Sequence, residues 1–144
     1  MDEVFNKICK ECNGTCCKTF EIFLTKEELD NIKNIKPLIF KKEGSAFLMC
    51  HKERCIFLGE KGCILNPEQK PTDCTIAPLV FTYINKKIEF YLLKDCKFIH
   101  EIPEYEIEKL KKITLERIKD WSEEDKITYS KMLEEYPDSE LVKL

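Results

Sequence analysis

Hydrophobic positions follow two regimes along the chain. Through residue 100 they come in short runs punctuated by cysteine, glycine and proline, whereas beyond Pro103 they recur at helical spacing. In the first regime Val4, Phe5 and Ile8 form a short amphipathic stretch, and the alternation of Phe20, Ile22 and Leu24 predicts a strand. Thr25 to Glu28 reads as a capping box, after which Leu29, Ile32 and Ile35 continue at helical spacing until Pro37 stops them. Residues 46–49 and 56–58 are apolar fragments too short to assign. Asn66, Pro67 and Pro71 favour a turn or one helical turn opened by Asn66. Residues 79–84 and 88–93, separated by Asn85-Lys86-Lys87, predict a β-hairpin, with Phe81, Tyr83, Phe90 and Tyr91 supplying the aromatic content strands favour.

In the second regime Ile107, Leu110, Thr114, Ile118 and Trp121 lie on one helical stripe, with Pro103 suited to the first turn. Ser122-Glu123-Glu124-Asp125 then opens another helix carrying Met132, Leu133 and Tyr136, which Pro137 ends. No repeat, low-complexity linker or second core interrupts the chain. The predicted fold is α+β: a small irregular cysteine-rich domain with short strands, a β-hairpin and two C-terminal helices. Residues 1–100 form its cysteine-cluster region, and residues 101–144 a helical extension packed on the same single domain. Core packing is the plain use of the C-terminal stripe; a partner-binding or dimer face is the alternative.

Composition alters this picture at one point. The chain of 144 residues has nine cysteines and only four glycines. A chain this long can bury a core without covalent staples, so the thiols need their own explanation. Four glycines, with neither G-x-x-x-x-G-K nor G-x-G-x-x-G present, argue against a phosphate-cradling loop. No apolar run approaches the 18 residues of a membrane span, and Met1-Asp2-Glu3-Val4 lacks the layout of a signal peptide, so a cytoplasmic protein is expected. Net charge is −3, with the acidic excess concentrated after residue 100. The lysines are scattered rather than gathered on a basic face, which argues against nucleic-acid binding.

In a reducing compartment clustered thiols are metal ligands or redox groups more often than disulfides. Lysine outnumbers arginine 22 to 2 and isoleucine appears 16 times, a profile that also fits a hyperthermophile, where intracellular disulfides do occur. All nine cysteines precede residue 100: Cys9, Cys12, Cys16, Cys17, Cys50, Cys55, Cys63, Cys74 and Cys96. The first group reads C-K-E-C-N-G-T-C-C. A C-x2-C turn aims two sulfurs at one point, and Gly14 lets the chain reverse so that a third can join them. Cys16 and Cys17 are adjacent, so in extended chain they face opposite ways and point to more than one station. Cys55, Cys63 and Cys74 stand in turn-rich chain with Gly59, Gly62, Pro67 and Pro71, a pattern suited to loops around a metal better than to a continuous strand or helix. Eight thiols would complete two four-ligand sites and leave one over, although one site of three or four cysteines with an open position and spare thiols nearby fits the count as well. That count does not choose between structural zinc and an iron-sulfur cluster such as 4Fe-4S.

The ordered set C-K-E-C-N-G-T-C-C, Cys55-Ile56-Phe57-Leu58, Gly62-Cys63-Ile64-Leu65, Lys70-Pro71-x-x-Cys74 and Pro78 resembles the YkgJ-like cysteine-cluster family, described as zinc- or iron-chelating and related to the cysteine-rich domain of flagellin lysine N-methylases. The resemblance runs over residues 9–96. It implies a metal-chelating domain whose ligands map onto Cys9, Cys12, Cys16, Cys17, Cys55, Cys63, Cys74 and Cys96. This chain departs from the family pattern in three places. It has three residues, Asn13-Gly14-Thr15, where the family has two; Lys70-Pro71 stands for Arg-Pro; and Thr75 stands where an arginine often follows the cysteine. A lysine cannot reproduce an arginine's planar fork.

Cys50 lies outside that pattern beside His51, and neighbouring side chains in a strand diverge, which argues against a Cys-His dyad. His100 follows Cys96 in a C-x3-H step; a surface histidine is its plain reading and a substitute ligand the alternative.

The leading expectation is therefore a protein that binds an iron-sulfur cluster or iron through clustered thiolates. Three alternatives stand beside it: a structural zinc module presenting a surface to a protein partner, an accessory protein of a methyl-transfer or redox enzyme, and a disulfide-stabilised domain. Whether the chain is itself an enzyme stays open, since it offers no cofactor loop and its C-x2-C-x3-C order is not the radical-type C-x3-C-x2-C.

Overall fold

The computed structural model describes residues 22–50, 55–94, 101–134 and 141–144. Its elements mix short antiparallel strands with helices, as the α+β expectation has it. Strand β1 (Ile22–Leu24) leads into helix α1 (Lys26–Ile32) through the predicted capping box. Thr25 Oγ1 accepts from the Glu28 amide at 3.2 Å, and the Thr25 amide donates to Glu28 Oε1 at 3.0 Å. The helix ends at Ile32, earlier than the Ile35 spacing implies. Chain approaching a proline is pushed out of helical conformation, and Ile35 instead lies exposed in a turn before Pro37.

Strands β2 (Ile39–Glu43) and β3 (Ala46–Cys50) form a hairpin, and β1 pairs on the other side of β3. The register sets Phe23 opposite Leu48, with Ile22 opposite Met49 and Leu24 opposite Phe47. Strand side chains alternate between faces, so this register sorts the core into two clusters. Phe23, Ala46 and Leu48 belong to one; Ile22, Leu24 and Met49 belong to the other. These two clusters are the two sides of one strand pair rather than the cores of separate units. All three residues of β1 are buried for that reason, where the sequence alternation led us to expect one covered face.

The first side carries the hydrocarbon bulk. Strands β6 (Leu79–Ile84) and β7 (Lys87–Leu93) make the predicted hairpin, joined by a two-residue turn with Asn85 at φ 53° and Lys86 at φ 63°. That turn is one residue shorter than the sequence reading, because positive φ at both centres matches the strand twist. Strand β8 (Leu141–Lys143) adds to β7, a pairing the sequence does not announce. The two predicted C-terminal helices are Glu104–Ile118 and Glu123–Glu134; Pro103 stands just ahead of the first, at its N-cap. The second is opened by Ser122, whose hydroxyl accepts from the Asp125 amide at 3.1 Å. Leu110, Thr114 and Ile118 are buried as the stripe predicts, and Tyr136 and Pro137 lie outside the described residues. Phe81 stacks on Tyr129 at 4.3 Å between centroids, Phe23 meets Tyr129 edge-on at 5.3 Å, and Trp121 lies on Phe23. Among the described residues no helix is long and apolar enough to cross a membrane.

Candidate metal centre

The second side of the sheet carries three of the four described cysteines, Cys55, Cys63 and Cys74. Cys55 opens a tight reversal in which the Leu58 amide donates to the Cys55 carbonyl at 3.0 Å. Strands β4 (Leu58–Gly59) and β5 (Gly62–Cys63) then pair, Leu58 opposite Cys63, and the Ile64 amide closes the loop on the Phe57 carbonyl at 2.8 Å. Both glycines suit this geometry, Gly62 by its backbone angle and Gly59 by the room it leaves for the Ile64 side chain. Gly62 has φ +105°, a region closed to residues with a Cβ, and a Cβ on Gly59 would come within 2.9 Å of Ile64.

The short hairpin brings Cys55 and Cys63 together. Cys55 is buried with Phe57 and Leu65 against Leu24, Leu29 and Met49, and Cys63 and Cys74 pack on the edge of the same cluster. Burial pushes the Cys55 thiol above its ordinary pKa; a bond from the Phe57 backbone offsets part of this, and negative charge on neighbouring Cys63 raises it further. Two adjoining thiols in apolar surroundings suit a soft-ligand metal, whose charge displaces both protons and relieves that repulsion.

Cys74 corrects one expectation. It sits in a helix, Thr72–Ile76, rather than in a loop, and this helix of five residues has no side-chain cap from its own N-cap, Pro71. Distant groups hold it instead. Glu28 Oε2 accepts from the Thr72 amide at 2.6 Å and from Thr72 Oγ1 at 2.7 Å, so the carboxylate of the capping box serves two helices at once. Asp73 Oδ2 accepts from the Phe23 amide at 2.9 Å. Burial pushes the Asp73 carboxyl up to about 6; the Phe23 amide opposes that shift, the Glu28 charge adds to it, and the Tyr129 hydroxyl opposes it. The preceding turn is the predicted one opened by Asn66, whose carbonyl accepts from the Gln69 and Lys70 amides at 2.9 and 3.0 Å.

Cys50 stands apart. It follows Met49 on β3, so alternation turns it to the opposite side of the sheet, where its thiol faces the Leu48 carbonyl at 3.7 Å. The structure thus brings Cys55, Cys63 and Cys74 to one side and leaves Cys50 off it. Cys9, Cys12, Cys16, Cys17 and Cys96 lie outside the described residues, as do His51 and His100. Among the described residues no three Cys, His, Asp or Glu side chains, Cys55, Cys63 and Cys74 included, form a group that could hold a metal ion.

Sequence reasoning missed Arg117. From the last turn of the helix Glu104–Ile118, its guanidinium reaches the Lys70 carbonyl at 3.2 Å, the Pro67 carbonyl at 3.1 Å and Thr75 Oγ1 at 3.2 Å. Lys70 and Thr75 are the two positions where the resemblance leads one to expect arginine. Here a fork arrives there from another element, a placement no local pattern announces.

The family profile named CxxCxxCC, described as "Putative zinc- or iron-chelating domain", matches residues 8–101, well over half of the chain. No curated protein and no solved structure gives a significant match.

Proposed function

Because the chain belongs to the CxxCxxCC family of zinc- or iron-chelating domains, and metal chelation follows from that membership, we propose that it binds iron, as an iron-sulfur cluster of the 4Fe-4S type, through cysteine thiolates. The observation that carries the reading is that Cys55 and Cys63 adjoin on the apolar cluster at one side of the central sheet, with Cys74 at the edge of the same cluster. On this reading those three thiols are part of the ligand set, and the remainder comes from Cys9, Cys12, Cys16, Cys17 and Cys96. Such a set supplies soft, anionic donors and an apolar wall that keeps water from the sulfurs.

The chain's own contribution is to hold Cys55 beside Cys63, and Cys74 on the same side of the sheet, before metal arrives. Gly59 and Gly62 set the reversal that joins Cys55 to Cys63, and Glu28 fixes the helix that carries Cys74. Burial keeps Cys55 protonated in the absence of metal, so binding releases a proton and tightens as pH rises.

Anaerobic purification followed by iron, zinc and acid-labile sulfide analysis and a visible spectrum tests this. Brown protein with iron and sulfide supports the cluster; colourless protein holding zinc alone overturns it in favour of a structural zinc module.

A further inference from the structure

Ten residues separate Cys63 from Cys74, and they contain only one helical turn and the start of a five-residue helix. A helix that short does not hold itself in water, and a metal that had to order the segment would lose that ordering free energy from its affinity. Glu28 and Asp73 anchor the helix itself, and Arg117 ties it to the turn before it. The two terminal nitrogens of Arg117 span the Pro67 and Lys70 carbonyls and the Thr75 hydroxyl, which lies one residue beyond Cys74. Thr75 Oγ1 in turn donates to the Pro71 carbonyl at 3.0 Å, so the guanidinium grips both ends of residues 67–75. All three of its acceptors are neutral. They gain from a planar fork that supplies several donors at fixed angles, which a lysine's single ammonium cannot match.

We propose that Arg117 is a positioning residue of the metal centre: from outside residues 8–101 it clamps the segment leading into Cys74 and so sets how firmly that thiolate holds metal. The inference rests on the reading of Cys74 as a ligand. Among the described residues Arg117 bonds no sulfur, and it acts through the carbonyls and the hydroxyl it fixes.

The test uses the full chain loaded with Co2+, whose sulfur-to-metal charge-transfer and d–d bands report thiolate ligation, and measures metal release to a competing chelator. Arg117→Ala is expected to release cobalt at least ten-fold faster and to shift those bands. Arg117→Lys is expected to fail to rescue either property, and Thr75→Val, which removes one of three acceptors, to accelerate release about three-fold. Ile118→Val, a neighbouring core change away from the clamp, serves as the control for global stability. The proposal is overturned if Arg117→Ala releases metal within two-fold of wild type, if Arg117→Lys restores the wild-type rate, or if Ile118→Val matches Arg117→Ala. Wild-type protein that takes up cobalt without thiolate bands overturns the ligand reading itself, a result visible before any variant is made.

Discussion

The two sides of the β1–β3 strand pair are built from the same strands and differ in what finishes them. One side is closed by large hydrocarbon: Phe23, Phe81, Trp121 and Tyr129 contact one another directly, and two helices of 15 and 12 residues cover them. The other side is closed by one helix of seven residues, a pair of two-residue strands and three cysteines. Apolar burial suffices for the first. On the second, polar tethers from Glu28, Asp73 and Arg117 stand in for packing, and thiols occupy the positions where a self-sufficient core has leucine or phenylalanine. On the proposed reading the contrast divides labour: the aromatic side sustains the fold, and the cysteine side is left for a metal to complete.

The strongest way to break that division is through Tyr129, fully buried at the centre of the aromatic group. Tyr129→Ala leaves a large cavity and is expected to cost about 3–5 kcal/mol of unfolding free energy. Denaturant titration is expected to show that loss almost equally in metal-loaded and metal-free protein, since the cavity opens among Phe23, Phe81 and Trp121 and only the hydroxyl of Tyr129 reaches Asp73 beside Cys74. A loss seen only with metal bound would mean that the two sides are not independent.

Metal removal probes the opposite side. If a metal at 100 times its dissociation constant stabilises the cysteine side, chelation withdraws about 2.7 kcal/mol there. Hydrogen exchange should then accelerate about 100-fold at the Leu58 and Ile64 amides, which close the Cys55–Cys63 loop, and stay nearly unchanged at the Tyr83 amide, which donates to Ser130 Oγ at 3.0 Å. Equal acceleration at both places would erase the distinction.

Asp73 lies on the seam, bonded to the β1 backbone and facing Tyr129. Its carboxyl is raised from the ordinary 3.8 to about 6, so the folded state holds a proton that the unfolded chain has released between those values. Stability of the metal-free protein should therefore fall as pH rises from about 4 to about 6, by about 2 kcal/mol after allowance for partial exposure, and level off above. Asp73→Asn should flatten that slope in pH-dependent denaturation curves. A slope unchanged in the variant would place the titration elsewhere.

What was legible in the sequence was what neighbours in sequence decide. The capping box needs only Thr25 and Glu28, the hairpin only its alternation and Asn85-Lys86, and the C-terminal helices only their stripe and caps. The rest depends on partners far along the chain. β2 escaped notice because its residues Ile39–Glu43 are all exposed on a sheet edge, so no buried face imprints an alternation on them. The helix around Cys74 exists because Glu28 supplies its first amide with an acceptor from 44 residues away, and Arg117 reaches across a similar span. For the candidate site, the sequence offers the cysteines and sets Cys50 outside the family pattern, and the strand register turns Cys50 to the other side of the sheet from Cys55, Cys63 and Cys74. The second role of Glu28, as a tether of the Cys74 helix, has no signature in a list of residues.

The smallest predicted change refines the comparison most cleanly, because it strengthens one side without touching the other. Lys86 sits at φ 63° in the turn between β6 and β7, a conformation that costs a residue with a Cβ more than it costs glycine. Lys86→Gly removes that strain but loosens the unfolded chain, and the first effect outweighs the second at a left-handed position. The expected gain is about 0.5–1 kcal/mol in the unfolding free energy of the metal-free protein. If the aromatic side alone sustains the fold, that gain appears in full in thermal unfolding while metal release keeps its wild-type rate. If metal release slows as well, the hairpin and the cysteine side unfold as one unit, and the division of labour gives way to a single cooperative core.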